Sequence, residues 1–127
     1  MIQLHGTESI EECKHYNVPI IKAFHIKTIK DIAKIKDYKS YIDYVLLDTK
    51  SKTSFGGTGK TFNWTIAEEA KQHNIPIFLS GGITASNINE AIKKVAPEYI
   101  DLSSSIELSP GIKDQKKITD LFNKLNE

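Results

Sequence analysis

Apolar positions along this chain gather into short runs separated by polar stretches with helical periodicity, and the alternation continues from end to end. The runs are Ile2 to Leu4, Ile20 to Phe24, Tyr44 to Leu47, Ile75 to Leu79 and Tyr99 to Leu102. Being short and apolar at successive positions, they predict strands buried on both faces. Helices are predicted between them over about 7–16, 27–38, 63–73 and 84–95, with a last one over about 113–125. Thr7 and Thr84 are N-cap candidates, and Pro19 and Pro76 stand where a strand opens after the preceding helix has ended. Strands separated by helices read as βαβ units of a parallel sheet, and right-handed crossovers then gather every strand C-terminus at one end. Each run ends in residues capable of chemistry: His5-Gly6, His25, Asp48-Thr49-Lys50, Ser80-Gly81-Gly82 and Ser103-Ser104-Ser105.

Composition narrows the function. The 127 residues are 39% hydrophobic and 26% charged, with net charge +1, and all 17 basic residues are lysine. The lysines are scattered among acids and no arginine offers its planar fork, so a nucleic-acid partner is not expected. No apolar run is long enough to cross a bilayer, and Met1 leads directly into the first predicted strand, so no leader is expected. A lone cysteine, Cys13, gives neither a disulfide nor a CxxC metal pair, and its helical setting predicts a buried apolar-face residue. A cytoplasmic protein without membrane association is expected.

Polar groups delivered repeatedly at strand C-termini suit an α/β barrel, which closes with eight strands and about 200 residues or more. Five strands are legible here. The stretches "IQLHGTES", "VLLDTKSKTSFGGTGKTFNW", "FLSGGITASNI" and "YIDLSSSIELSPGIKD" resemble the fourth, sixth, seventh and eighth strand segments of phosphoribosylanthranilate isomerase. "IIKAFHI" fits the fifth. The resemblance runs in order over essentially the whole chain. It implies a partial (β/α)8 TIM barrel of parallel strands alternating with helices, with residues 1–127 forming one domain that is the C-terminal part of the barrel. It also implies that the first three βα units lie outside this sequence, with their "CGIT"-like strand whose cysteine acts as general base. Cys13 is not that residue, and the arginine that the family uses for the substrate carboxylate has no counterpart.

The implied reaction is an Amadori rearrangement of N-(5'-phosphoribosyl)anthranilate in tryptophan biosynthesis, which needs an acid and a base but no metal or organic cofactor. Asp48, at the end of an apolar run, is the general-acid candidate; desolvation favours the neutral carboxyl that an acid catalyst needs. Gly81 and Gly82 lead into a predicted helix, and Ser103, Ser104 and Ser105 follow the last strand, opening a short extra helix. Loops after the last two strands of such barrels commonly hold phosphate, which makes these five residues the phosphate candidates. Ser105 stands where the family usually has glycine. Asp101 is implied to contact the anthranilate amine or to serve a structural hydrogen bond, and His5 lines the site. His15, His25 and His73 share no ligand spacing, so no metal is expected. Gly56-Gly57-Thr58-Gly59-Lys60-Thr61 imitates a nucleotide P-loop, but Ser54 occupies the position of its first glycine. The family offers a loop closing over substrate instead. A small sugar phosphate is the expected partner, and open sheet edges predict self-association. The competing expectation is a non-catalytic half-barrel that at most binds sugar phosphate. A related barrel, indole-glycerol-phosphate synthase, is disfavoured by the long match through Trp64.

Overall fold

The computed structural model describes residues 1–48 and 64–126. Five strands form one sheet: β1 (Ile2–Leu4), β2 (Ile20–His25), β3 (Tyr44–Asp48), β4 (Ile77–Ser80) and β5 (Tyr99–Ile100). Their order is β1-β2-β3-β4-β5 and every pairing is parallel. Sequential order is the diagnostic feature: a doubly wound sheet reverses direction at a switch point, whereas a barrel wall adds each strand beside its predecessor. The sheet is open among the described residues.

The helices are α1 (Ile10–Cys13), α2 (Ile29–Ala33), α3 (Ile35–Tyr38), α4 (Trp64–Glu68), α5 (Ile88–Val95) and α6 (Gln115–Leu125). They cover one face of the sheet. The main core joins Leu4, Ile20, Phe24, Val45, Leu47, Ile77 and Leu79 to helical residues such as Cys13, Ile32, Ile35, Ala67, Ile88 and Leu121. The opposite face carries a small cluster of Ile21, Ala23 and Leu46, edged by Tyr44 and Phe78, with no helical residue in it. The central strands are buried on both faces as expected, β2 from Ile20 through Phe24 and β3 from Val45 through Leu47, while the described helices cover one face only, and period-two alternation decides which residues face which way.

Several expected boundaries move. Ser9, not Thr7, caps α1; its hydroxyl accepts from the Glu12 N–H while Glu12 Oε2 accepts from the Ser9 N–H at 2.7 Å, a reciprocal capping box. The helix expected over 27–38 is divided at Lys34, whose dihedrals (φ −63°, ψ −25°) and the i→i+3 bond from Asp37 N to Lys34 O are 3₁₀-like. The tail of the helix expected over 63–73 likewise tightens into a 3₁₀ turn, Glu69–His73, and ends at Asn74 in the left-handed region (φ 53°). Thr84 opens a turn, not a helix: α5 begins at Ile88 with Asn87 at its N-cap position. An antiparallel ribbon of β6 (Glu107–Ser109) and β7 (Ile112–Lys113) was not expected. Its signal is Pro110-Gly111, a turn dipeptide in which Gly111 takes φ +81°.

Cys13 is buried as expected. Pro19 and Pro76 do precede β2 and β4. Carboxylates pin the entry of each of these two strands: Ile20 N–H donates to Asp43 Oδ2 (2.8 Å) and Ile77 N–H to Glu98 Oε2 (2.6 Å). The P-loop imitation at 56–61 lies outside the described residues. No helix among the described residues is long and apolar enough to cross a membrane.

Candidate active site

Alternation and parallel register together build the site. Residues on the face without helices run Ile21, Ala23, His25 on β2, then Tyr44, Leu46, Asp48 on β3, then Phe78, Ser80 on β4. His25 pairs in register with Asp48, and Asp48 with Ser80. His5 and Asp101 immediately follow β1 and β5 on the same face parity. Each strand thus delivers one polar side chain to the same corner of the sheet.

His5, Asp48, Gly81, Gly82, Asp101, Ser103, Ser104 and Ser105 line one cleft of about 250 Å³, together with Ser80, Ile83 and Leu102. All eight residues singled out from the sequence therefore meet in it. Asp48 is mostly buried, its side chain 18% exposed, and its Oδ2 lies 3.6 Å from His5 Nε2 and 3.0 Å from His25 Nδ1. The Ser80 hydroxyl donates to Asp101 Oδ2 at 3.1 Å, holding that carboxylate at the cleft.

The glycine loop needs its glycines for backbone reasons. Gly81 and Gly82 take φ +88° and +69°, a region that side chains rarely adopt. A Cβ on Gly82 would meet nothing within 4 Å, so conformation, not internal crowding, demands glycine there. Asn87 fastens the loop at both ends: its Nδ2 donates to Gly82 O (3.0 Å) and its Oδ1 accepts from Thr84 N–H (2.8 Å). The Thr84 amide is thus engaged within the turn.

Ser104–Ile106 form the short extra helix, of 3₁₀ type. Behind it, Lys113 Nζ donates to Ser103 O (3.2 Å) and to Glu107 Oε1 (2.8 Å), and Lys117 Nζ donates to Glu107 O (2.7 Å). Asp114 caps α6 by accepting from the amides of Lys116 and Lys117. Lys113 escaped the sequence reading, although it lies in the "PGIKD" stretch; it anchors the serine loop and places a positive charge behind it. His25 also escaped, having been set aside for want of ligand spacing along the chain.

A second cleft, about 310 Å³, lies beside β1 and β2 and is lined by Gly6, Glu8, Lys22, His25, Asp31 and Tyr38 among others. Its charged groups are spent on structure. Lys22 is buried and its Nζ donates to Glu8 Oε2 (3.0 Å), Gly6 O (3.0 Å) and Ala23 O (3.1 Å). Cys13 lies in the main core, where desolvation pushes its thiol pKa up, away from the thiolate a base or nucleophile needs.

The model of the N-(5'-phosphoribosyl)anthranilate (PRA) isomerase family matches residues 1–124. Relatives named N-(5'-phosphoribosyl)anthranilate isomerase include those of Nostoc punctiforme, 44% identical over 98% of this chain and 61% of its own length, and Geotalea uraniireducens, 43% identical over 98% and 60%. The phosphoribosyl anthranilate isomerase of Thermotoga maritima superposes with a TM-score of 0.84 at 34% identity, over 98% of this chain and 60% of that one. A phosphoribosyl anthranilate isomerase solved with reduced 1-(o-carboxyphenylamino)-1-deoxyribulose 5-phosphate superposes with a TM-score of 0.80 at 29% identity, over 98% and 58%. The chain spans about three fifths of the length of the relatives it matches.

Proposed function

The chain belongs to the N-(5'-phosphoribosyl)anthranilate isomerase family, and from that premise we propose that it supplies the proton-donating and phosphate-holding part of an Amadori isomerase in tryptophan biosynthesis. The substrate would be N-(5'-phosphoribosyl)anthranilate and the product 1-(2-carboxyphenylamino)-1-deoxyribulose 5-phosphate. The observation that carries this reading is the meeting of Asp48 with Gly81, Gly82 and Ser103 to Ser105 in one cleft at the C-terminal end of a sequential parallel sheet. Asp48 gives its proton to the furanose ring oxygen as the C1'–O bond breaks and the nitrogen lone pair forms the C1'=N bond. A base then takes the C2' proton, leaving an enolamine that tautomerises to the ketone. The phosphate lies against the Gly81-Gly82 backbone and the serine loop, while Asp101, held by Ser80, faces the anthranilate amine. Neither step calls for a metal or an organic cofactor. We place this chemistry in the cytoplasm.

The base is the part these 127 residues do not offer in the family's form. Cys13, the single cysteine, is buried in the main core and cannot reach the cleft. The 127-residue chain alone is therefore expected to show no measurable turnover, and adding the first three βα units of a relative, in trans or by fusion, to restore it. Turnover is read as the decay of phosphoribosylanthranilate fluorescence against its spontaneous hydrolysis. Asp48→Asn in the complemented enzyme should lower the rate about a hundred- to ten-thousand-fold. An Asp48→Asn enzyme that keeps its rate would remove Asp48 from the role of acid. Full activity of the chain alone would place the base within it, with His5 the first suspect. Binding of sugar phosphate without restored turnover would favour a half-barrel that binds and does not catalyse.

A further inference from the structure

We propose that His5, His25 and Asp48 form a site for a divalent transition-metal cation of the zinc class. Three adjacent strands bring these side chains to one corner: His5 follows β1, His25 ends β2 and Asp48 ends β3. One ligating atom of each, two imidazole nitrogens and a carboxylate oxygen, lies within 4.8 Å of the other two. Zinc binds nitrogen at about 2.0–2.1 Å and carboxylate oxygen at about 2.0–2.2 Å, so neighbouring ligands around a tetrahedral ion stand roughly 3.4 Å apart. His25 Nδ1 to Asp48 Oδ2, at 3.0 Å, is already within that span, and His5 Nε2 to the same oxygen, at 3.6 Å, is close to it. The remaining closure falls to the rings. Both are solvent-accessible, their side chains 42% and 57% exposed, and their centroids stand 5.4 Å apart with the planes tilted 54°, so neither ring is locked in place by packing.

The setting matches a metal site in two further ways. A ligating histidine usually has its other ring nitrogen held by a hydrogen bond that fixes the tautomer. Gln3 Nε2 lies 3.0 Å from His5 Nδ1; turning its amide over presents Oε1 to an Nδ1–H and leaves Nε2 for the ion. Two imidazoles and one carboxylate also select zinc, cobalt, nickel or copper over magnesium and calcium, which prefer all-oxygen cages. Three protein ligands leave a coordination position for water or for an oxygen of an anion in the adjoining cleft. Metal binding needs an ionised Asp48, whereas the acid role needs its proton. A bound cation therefore suppresses turnover; this consequence rests on the isomerase reading, while the site itself does not.

The test uses the 127-residue chain without substrate, with Zn²⁺ and Co²⁺ as probes. Calorimetry should give one Zn²⁺ per chain, and Co²⁺ should develop visible absorption bands of a low-symmetry site. Of the four histidine rings, those of His5 and His25 should shift in the NMR spectrum on adding Zn²⁺, while His15 and His73 stay in place. His25→Ala and Asp48→Asn should each weaken Zn²⁺ binding at least about tenfold, and Mg²⁺ should not compete. Shifts at His15 or His73 alone, or Zn²⁺ affinity unchanged in His25→Ala, would overturn the site. The ring shifts are read on the unmutated chain, so a variant that fails to fold does not blunt the test. Loss of turnover in the complemented Asp48→Asn enzyme, with no Zn²⁺ bound by the unmutated chain, would sink the metal site alone. Zn²⁺ binding by the unmutated chain, with turnover retained in the complemented Asp48→Asn enzyme, would sink the acid role alone.

Discussion

Removing Glu8 should damage this chain more than removing its partner, because the two ends of the ion pair are buried unequally. The Lys22 side chain is 4% exposed and that of Glu8 26%. Glu8 also accepts two bonds from Gly6 N–H, at 3.0 and 2.9 Å, so it fixes the turn directly after His5. Taking one partner from a buried pair typically costs about 3–5 kcal/mol, since the other charge stays desolvated. Lys22 would keep the Gly6 and Ala23 carbonyls as acceptors, which places Glu8→Ala nearer about 2–3 kcal/mol. Lys22→Met leaves an apolar stem in an apolar place and a carboxylate that water can reach, at about 1 kcal/mol. Lys22→Met should therefore rescue part of the loss in Glu8→Ala, with a coupling of about 2 kcal/mol that leaves the double variant about 1–2 kcal/mol down. Urea unfolding followed through Trp64, the single tryptophan and a buried core residue, reads these differences. Acid gives a second reading. Desolvation raises the Glu8 pKa, but its backbone hydrogen bonds and the Lys22 ammonium outweigh this and hold it below 4.5. Its contribution is thus complete above about pH 4.5 and fades as pH falls through the lowered folded value. A double variant as unstable as Glu8→Ala alone would refute the unequal-burial argument.

Other consequences follow from neighbouring features. For Asp31, desolvation is outweighed by bonds from Lys34 Nζ, the amides of Thr28 and Lys27 and the Thr28 hydroxyl, which bring its pKa from 3.8 down to about 2. Asp31→Asn should cost about 1–2 kcal/mol above pH 4, and the difference should shrink towards pH 2 in denaturant titrations; a pH-independent difference would count against it. On the face without helices, the Phe78 and Tyr99 rings stack at 4.3 Å with Tyr99 45% exposed, so the 127-residue chain should self-associate and Tyr99→Lys should weaken this in sedimentation. A monodisperse, cooperatively melting monomer would end that idea. Ribose 5-phosphate should shift the amide signals of Gly81, Gly82 and Ser104, and shifts confined to other loops would put the phosphate elsewhere.

The strands were legible because burial in a parallel sheet demands unbroken apolar runs, and five runs became five strands. The helix boundaries were less so. Apolar spacing at Ile29, Ile32, Ile35 and Tyr38 is the same whether the turn between α2 and α3 is α or 3₁₀, since residues three apart share a face in either. Thr84 looked like a cap because threonine starts both turns and helices; the competing Asn87 side chain, bonding back to Thr84, gave the turn the advantage. The β6–β7 ribbon is signalled only by Pro110-Gly111, since strands of three and two residues are too short to show a periodicity. Lys22 was hidden for a different reason: a lysine inside an apolar run reads as a solvent-facing tip, and nothing local reveals that Glu8 waits beside it.

His25 marks what linear spacing cannot supply and sheet geometry can. In a parallel sheet of sequential order, side chains of one parity at the C-terminal end of each strand must converge, whatever their distance along the chain. Applied to β1 through β5, that rule selects His5, His25, Asp48, Ser80 and Asp101, one residue per strand, without reference to any relative. Four of the five line the cleft with the phosphate candidates, and the fifth, His25, stands 3.0 Å from the carboxylate at the centre of the group. Its placement follows from the register that pairs His25 with Asp48, and a slip of one residue in β2 would carry it to the helical face and Phe24 to the cleft. Such a slip would also pull Ile20 and Phe24 out of the main core, so the packing that stabilises the sheet is the same constraint that holds His25 against Asp48.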